Sequence, residues 1–144
     1  KEQAPAGHSG IGTTLTANAL AFAAIRANLE QVITAAAYAH ILPLAEQLAD
    51  GLRNVFAKHG VKWCVTQVDA RVEFQFAERA PSNGTEARAI MNHELEQTIH
   101  LYGLNHGVLL TPFHNMLLVS PVTTAAHVER LLNTLDDCLQ ALLG

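Results

Sequence analysis

The sequence predicts an α+β fold: a small, mostly antiparallel sheet covered by helices and preceded by one long helix. Three observations predict it. Apolar residues recur at helical spacing up to about residue 56 and again from about residue 85. Between those stretches, Val72, Phe74 and Phe76 alternate with Arg71, Glu73 and Gln75, the period of a half-buried strand. Of the 144 residues, 49% are apolar and 15% charged, which is enough apolar side chain for one domain with a real core.

The elements follow in order. Leu15, Phe22, Ile25, Leu29 and Val32 or Ile33 form a first helical stripe, with alanines between them that favour helix and close packing. Thr34 reads as the cap of a second helix, striped by Ile41, Leu44, Leu48, Leu52 and Val55 or Phe56. Pro43 is expected in the first turn of that helix, where a missing N–H costs nothing. Gly60, after Lys58-His59, suits the residue that ends it. Trp63–Val68 and 71–76 read as strands, and Arg79–Gly84 as a turn-rich loop. From Thr85 to about Asn105 one helix is expected, with Ala87, Met91, Leu95, Ile99 and Tyr102 inward and Gly107 closing it. Val108–Thr111 and Met116–Ser120 read as short strands around Pro112–Asn115. Thr123 or Thr124 caps a last helix striped by Val128, Leu131, Leu135, Cys138 or Leu139, and Leu142.

Composition narrows the function. The net charge of −4, with no basic stripe, argues against a nucleic-acid partner. No apolar run reaches the length of a membrane span, and no signal peptide opens the chain. Cys64 and Cys138 stand far apart and in no C-x-x-C pair, so reduced thiols and a cytoplasmic setting are expected. The opening at Lys1 reads as the start of a fragment of a longer polypeptide.

The stretch Gly7–Ala21 carries the strongest chemical signal. Three glycines in six residues allow close backbone approach to a ligand. Thr13, Thr14 and Thr16 then offer hydroxyls and caps to an apolar helix, a setting that suits a phosphate group. An ordinary capped loop has the same composition. Pro112-Phe113-His114-Asn115-Met116 joins two strands and carries an aromatic and hydrogen-bonding side chains, so it reads either as a pocket wall or as a plain hairpin connection. His93, His100, His106 and His114 have no tight ligand spacing, so a solvated face is expected rather than a metal site. Arg71 and Glu73 on the strand are expected either to pair across the sheet or to touch another domain, and Arg26 to be solvated or at an interface.

Gly12-Thr13-Thr14-Leu15-Thr16-Ala17-Asn18-Ala19-Leu20-Ala21 resembles the G-T-L-S-G-N-P-L-A segment of class III, pyridoxal-phosphate-dependent aminotransferases. Tyr102–Pro112 and Leu118-Val119-Ser120-Pro121, with the closing helix, resemble the C-terminal domain of the same family, in its glutamate-1-semialdehyde aminomutase-like and β-amino-acid aminotransferase branch. The resemblance covers nearly the whole chain and about the last third of a family member. It implies the C-terminal domain of a fold-type I enzyme: residues 1–34 as phosphate-loop remnant and interdomain helix, and 35–144 as the small domain. It implies that Thr14, or Thr13 one residue earlier, holds the phosphate of pyridoxal 5'-phosphate belonging to the other subunit of a homodimer. It places Phe113 and His114 at the substrate mouth, where some relatives carry an arginine for a carboxylate. Thr13 and Ala19 depart from the family's glycine and proline. In the family the Schiff-base lysine and the acidic partner of the pyridine nitrogen lie upstream of this loop. The chain's lysines are Lys1, Lys58 and Lys62, and none has that context. The expected function is therefore the C-terminal part of an enzyme that moves an amino group between an amino acid or amine and a keto acid. Its expected partners are a large N-terminal domain and a second subunit, and the chain alone is expected to be inactive. The alternative is a free-standing, non-catalytic α+β ligand-binding or interaction module.

Overall fold

The computed structural model describes residues 18–110 and 115–144. The chain divides into two compact units, Lys1–Ala37 and Tyr38–Gly144.

The first unit holds helix α1, Ala19–Gln31. Asn18 caps it: its Oδ1 accepts from Ala21 N at 2.9 Å. The cap was expected from the threonines upstream. Asparagine takes the role because its short carbonyl reaches the third N–H of the helix without strain. None of the residues of α1 is buried. Leu20, Phe22, Ile25 and Leu29 are 79%, 59%, 52% and 59% exposed. Beyond the helix, Thr34 Oγ1 accepts from Ala37 N at 3.2 Å, the expected cap of the next helix.

Helix α2, Ala35–Lys58, buries Ile41, Ala45, Leu48, Ala49, Leu52 and Phe56. Pro43 lies inside it, two turns past the start, and not in the first turn as its chemistry suggested. The helix begins at the Thr34 cap, earlier than the apolar stripe alone implies. Pro43 and Ala39 are both exposed, so the carbonyl deprived of its partner stays within reach of water. Gly60 follows the helix at φ +66°.

Strands β1, Cys64–Val68, and β2, Arg71–Gln75, form an antiparallel hairpin in which Cys64 faces Gln75 and Val68 faces Arg71. Asp69 sits in its turn at φ 50°, a conformation that aspartate tolerates. The expected alternation holds: Val72 and Phe74 are buried, Arg71 is exposed, and Glu73 and Gln75 are half-buried. Strand β3, Met116–Leu118, pairs antiparallel with the other side of β2, giving the order β1-β2-β3.

Two expectations fail here. The stretch from residue 85 to 105 is two helices, α3 (Gly84–Ala89) and α4 (His93–Asn105). Asn92, at φ −129° and ψ 91°, breaks the run and caps α4 by accepting from Leu95 N. Asparagine competes in this way with helical continuation, and it leaves Met91 56% exposed instead of inward. Residues 108–110 are not a strand. Val108 N donates to Gly103 O at 2.8 Å, and Leu110 O is taken by His100, so these backbone groups serve α4 and not a ladder.

Helix α5, Ala125–Leu143, is capped by Thr124, whose side chain and that of His127 satisfy each other's backbone N–H groups. It buries Val128, Leu135, Cys138 and Leu139, while Leu142 stays 44% exposed. The sheet meets α2 through an aromatic cluster. Phe56 and Trp63 rings lie 5.2 Å apart, Phe56 and Phe74 5.4 Å, and Trp63 and Phe76 4.8 Å. Cys64 and Cys138 are free thiols, both raised in pKa by burial.

Candidate functional site

All four sequence-derived site residues, Thr13, Thr14, Phe113 and His114, lie outside the described residues. The structure does describe the residues on either side of the second pair. Before them, His100 Nδ1 on α4 meets Leu110 O at 2.8 Å. A carbonyl only accepts, so the imidazole donates. After them, Asn115 O accepts from Phe74 N of the buried strand β2 at 3.3 Å. Met116 then faces Glu73 in the ladder. The described residues on either side of 111–114 are therefore tied to α4 and to β2.

Two cavities flank these anchors. One, of about 340 Å³, is mostly apolar and is lined by Leu48, Leu110, Met116, Val119, His127 and Val128 among others. The second, of about 130 Å³, lies where β2 passes α3 and α4. Glu73, Gln75, Glu96 and Asn115 supply its polar wall, and Phe74, Phe76, Ile90 and Met91 its apolar one. Glu96 is only 6% exposed, and its Oε2 has no hydrogen-bond partner among the described residues. Sequence reasoning missed it. The signal was there: Glu96 shares a face with Ile99 and Gly103, three and seven residues on, and all three are buried.

The remaining candidates are engaged elsewhere. Lys58 Nζ donates to Asp136 at 2.6 Å and Lys62 Nζ to Glu78 at 3.5 Å. Neither lysine lines either cavity. His93 Nε2 lies 2.9 Å from Gln97 Nε2, and His106 Nδ1 is 2.8 Å from Tyr102 O. Among the described residues no three histidine, cysteine or acidic side chains group as a metal site. Arg71 donates to Glu73 at 3.2 Å, and Arg26 to Glu30 at 2.8 Å, both at the surface. Among the described residues no single helix is long and apolar enough to cross a membrane.

Comparison with known proteins places this arrangement. No family model matches the chain. Its fold superposes on a glutamate-1-semialdehyde aminomutase from Pseudomonas aeruginosa, solved in complex with PMP, with a TM-score of 0.87 and 45% identity over 97% of this chain and 32% of that one. The chain resembles the C-terminal part of a class III aminotransferase. A glutamate-1-semialdehyde 2,1-aminomutase from Macrococcus caseolyticus is 29% identical over 142 residues, 97% of this chain and 33% of the relative. A β-phenylalanine aminotransferase from Variovorax paradoxus shares the fold, with a TM-score of 0.76 at 22% identity over 97% of this chain and 31% of that one. The chain thus spans about a third of the length of the relatives it matches. The α+β architecture with its three-stranded antiparallel sheet is that of the C-terminal part of these pyridoxal-phosphate enzymes.

Proposed function

We propose that this chain is the C-terminal part of a pyridoxal-phosphate-dependent aminotransferase or aminomutase, which moves an amino group between an amino acid or amine and a keto acid. The observation that carries this reading is the 45% identity to the Pseudomonas aminomutase along 97% of the chain. The unburied apolar face of α1 supports the fragment reading, because a large domain would cover it.

The described residues do not by themselves make a pyridoxal site. Their two lysines are tied to Asp136 and Glu78 at the surface, so the amine for the cofactor comes from the rest of the polypeptide. The cofactor, when bound, supplies the carbonyl that takes up and releases the amino group. This chain contributes position. Thr14, or Thr13, holds the phosphate of the partner subunit's cofactor in a homodimer, and Phe113 and His114 line the substrate mouth. His100 and Phe74 fix the two ends of their loop. The enzyme works in the cytoplasm, and this chain alone neither holds the cofactor tightly nor transaminates.

The test is cofactor release by dialysis from the complete enzyme carrying Thr14→Ala or Thr13→Ala. A hydrogen bond to a charged group is worth about 1.5–3 kcal/mol, so the variant that loses it releases the cofactor roughly 10–100 times more readily. Loss in Thr13→Ala alone shifts the register by one residue. Unchanged retention in both removes the phosphate role of this loop.

A further inference from the structure

The smaller cavity holds an acidic side chain whose buried oxygen the described residues leave without a donor. Glu96 is buried, and its Oε2 has no hydrogen-bond partner among the described residues. His93 Nδ1 lies 3.7 Å from that oxygen, on a side chain 69% exposed, too far for a hydrogen bond. Glu73, the other acid on the cavity wall, already accepts from Arg71. A buried carboxylate oxygen without a donor is costly, and a ligand that supplies the donor recovers that cost.

The rest of the wall defines the donor. Gln75 and Asn115 present amide groups, while Phe74, Phe76, Ile90 and Met91 present ring faces, aliphatic carbon and a thioether. A hard metal ion needs several oxygen ligands, and no three acidic, histidine or cysteine side chains group here among the described residues. A protonated alkylamine fits each wall. Its N–H groups reach the carboxylate and amides, its charge suits the aromatic faces, and its stem packs on the apolar side. The volume of about 130 Å³ equals roughly four waters, enough for an ammonium head and a short stem.

We propose that this cavity is a binding site for a primary alkylammonium group, with Glu96 as its anionic anchor. The group comes from a small amine in solution or from a lysine elsewhere in the polypeptide. The site stands on the geometry of α4 and β2 and does not depend on the aminotransferase reading.

The probes are methylammonium and propylammonium chloride, with potassium and tetramethylammonium chloride at equal ionic strength as controls. They are titrated into the 144-residue chain and followed by amide chemical shifts. Saturable shifts at residues 73–76, 92–97 and 115 with the primary amines alone are expected. Glu96→Gln, which keeps the shape, should weaken binding at least tenfold, and Asn115→Asp should tighten it several-fold. If the complete enzyme supplies its own lysine, the 144-residue chain binds the amine and the complete enzyme does not. If the source is a free amine, both bind it. Absence of saturable shifts from the 144-residue chain overturns the proposal. So do equal binding by Glu96→Gln and equal shifts with potassium. Cofactor retention in the complete enzyme is unaffected by these outcomes, so failure here leaves the aminotransferase reading to its own test.

Discussion

Asp136 on α5 lies 2.7 Å from His59 Nε2 at the end of α2, and the same carboxylate accepts from Lys58 Nζ at 2.6 Å. These hydrogen bonds from Lys58 and then His59 hold the Asp136 carboxyl below its ordinary pKa. A lowered carboxyl pKa contributes stability at pH values above the unfolded value, near 4, and that contribution is lost as pH falls through the folded value. Unfolding free energy should therefore drop below about pH 4 in the parent chain and drop less in Asp136→Asn. At neutral pH, Asp136→Ala should cost about 1–2 kcal/mol. The exposed lysine contributes little, but the His59 side chain is 7% exposed and would keep an unpaired polar nitrogen. Urea unfolding between pH 3 and 7 checks both.

His100 ties Leu110, the last described residue before Phe113 and His114, to α4. His100→Ala should cost about 0.5–1.5 kcal/mol. It should also speed amide exchange at Val108–Leu110 without changing exchange in α5. Equal rates in parent and variant would mean that the link does not hold this segment.

Local chemistry explains what was readable in the sequence. The alternation of Val72 and Phe74, the Thr34 and Thr124 caps and the turn at Gly60 all depend on neighbours within a few residues, and each appears as expected. Pro43 was misplaced because the start of α2 is set by Thr34, not by the first apolar residue. The break at Asn92 was missed because apolar spacing continues through it while a side-chain cap stops the helix. The His59–Asp136 contact joins residues 77 apart, which no local pattern encodes. Glu96 was passed over because the stripe was read from apolar residues only, and a buried acid has to be sought as an exception.

Gly103 and Gly51 separate backbone from side-chain crowding. A Cβ at Gly103 would lie 2.9 Å from Val108 O, a backbone atom of the residue whose N–H donates to Gly103 O. At Gly51 the obstacle is the far end of Leu132, which can turn away. Both changes gain roughly 1 kcal/mol of helix propensity. Gly103→Ala should still be destabilising by about 1–3 kcal/mol, and Gly51→Ala should stay within about 1 kcal/mol of the parent. Thermal unfolding of the two variants side by side tests the contrast, and the reverse order would contradict it.

The apolar face of α1 predicts how the 144-residue chain behaves by itself. Leu20, Phe22, Ile25 and Leu29 are all more than half exposed, and no residue of the helix is buried. Two such helices that cover one another recover roughly 1 kcal/mol per side chain, since each begins partly covered. Against this stands an association cost of about 4–15 kcal/mol. The balance gives weak self-association, so the mean mass in sedimentation equilibrium should rise with concentration. Phe22→Gln with Ile25→Gln should return the chain to a monomer and leave its unfolding temperature unchanged, because neither residue is part of the core cluster. On the proposed reading a large domain covers this helix in the complete enzyme, and there the same pair of changes should instead lower stability. A clean monomer for the parent chain across a hundredfold range of concentration would mean that this face is not a buried surface waiting for its cover.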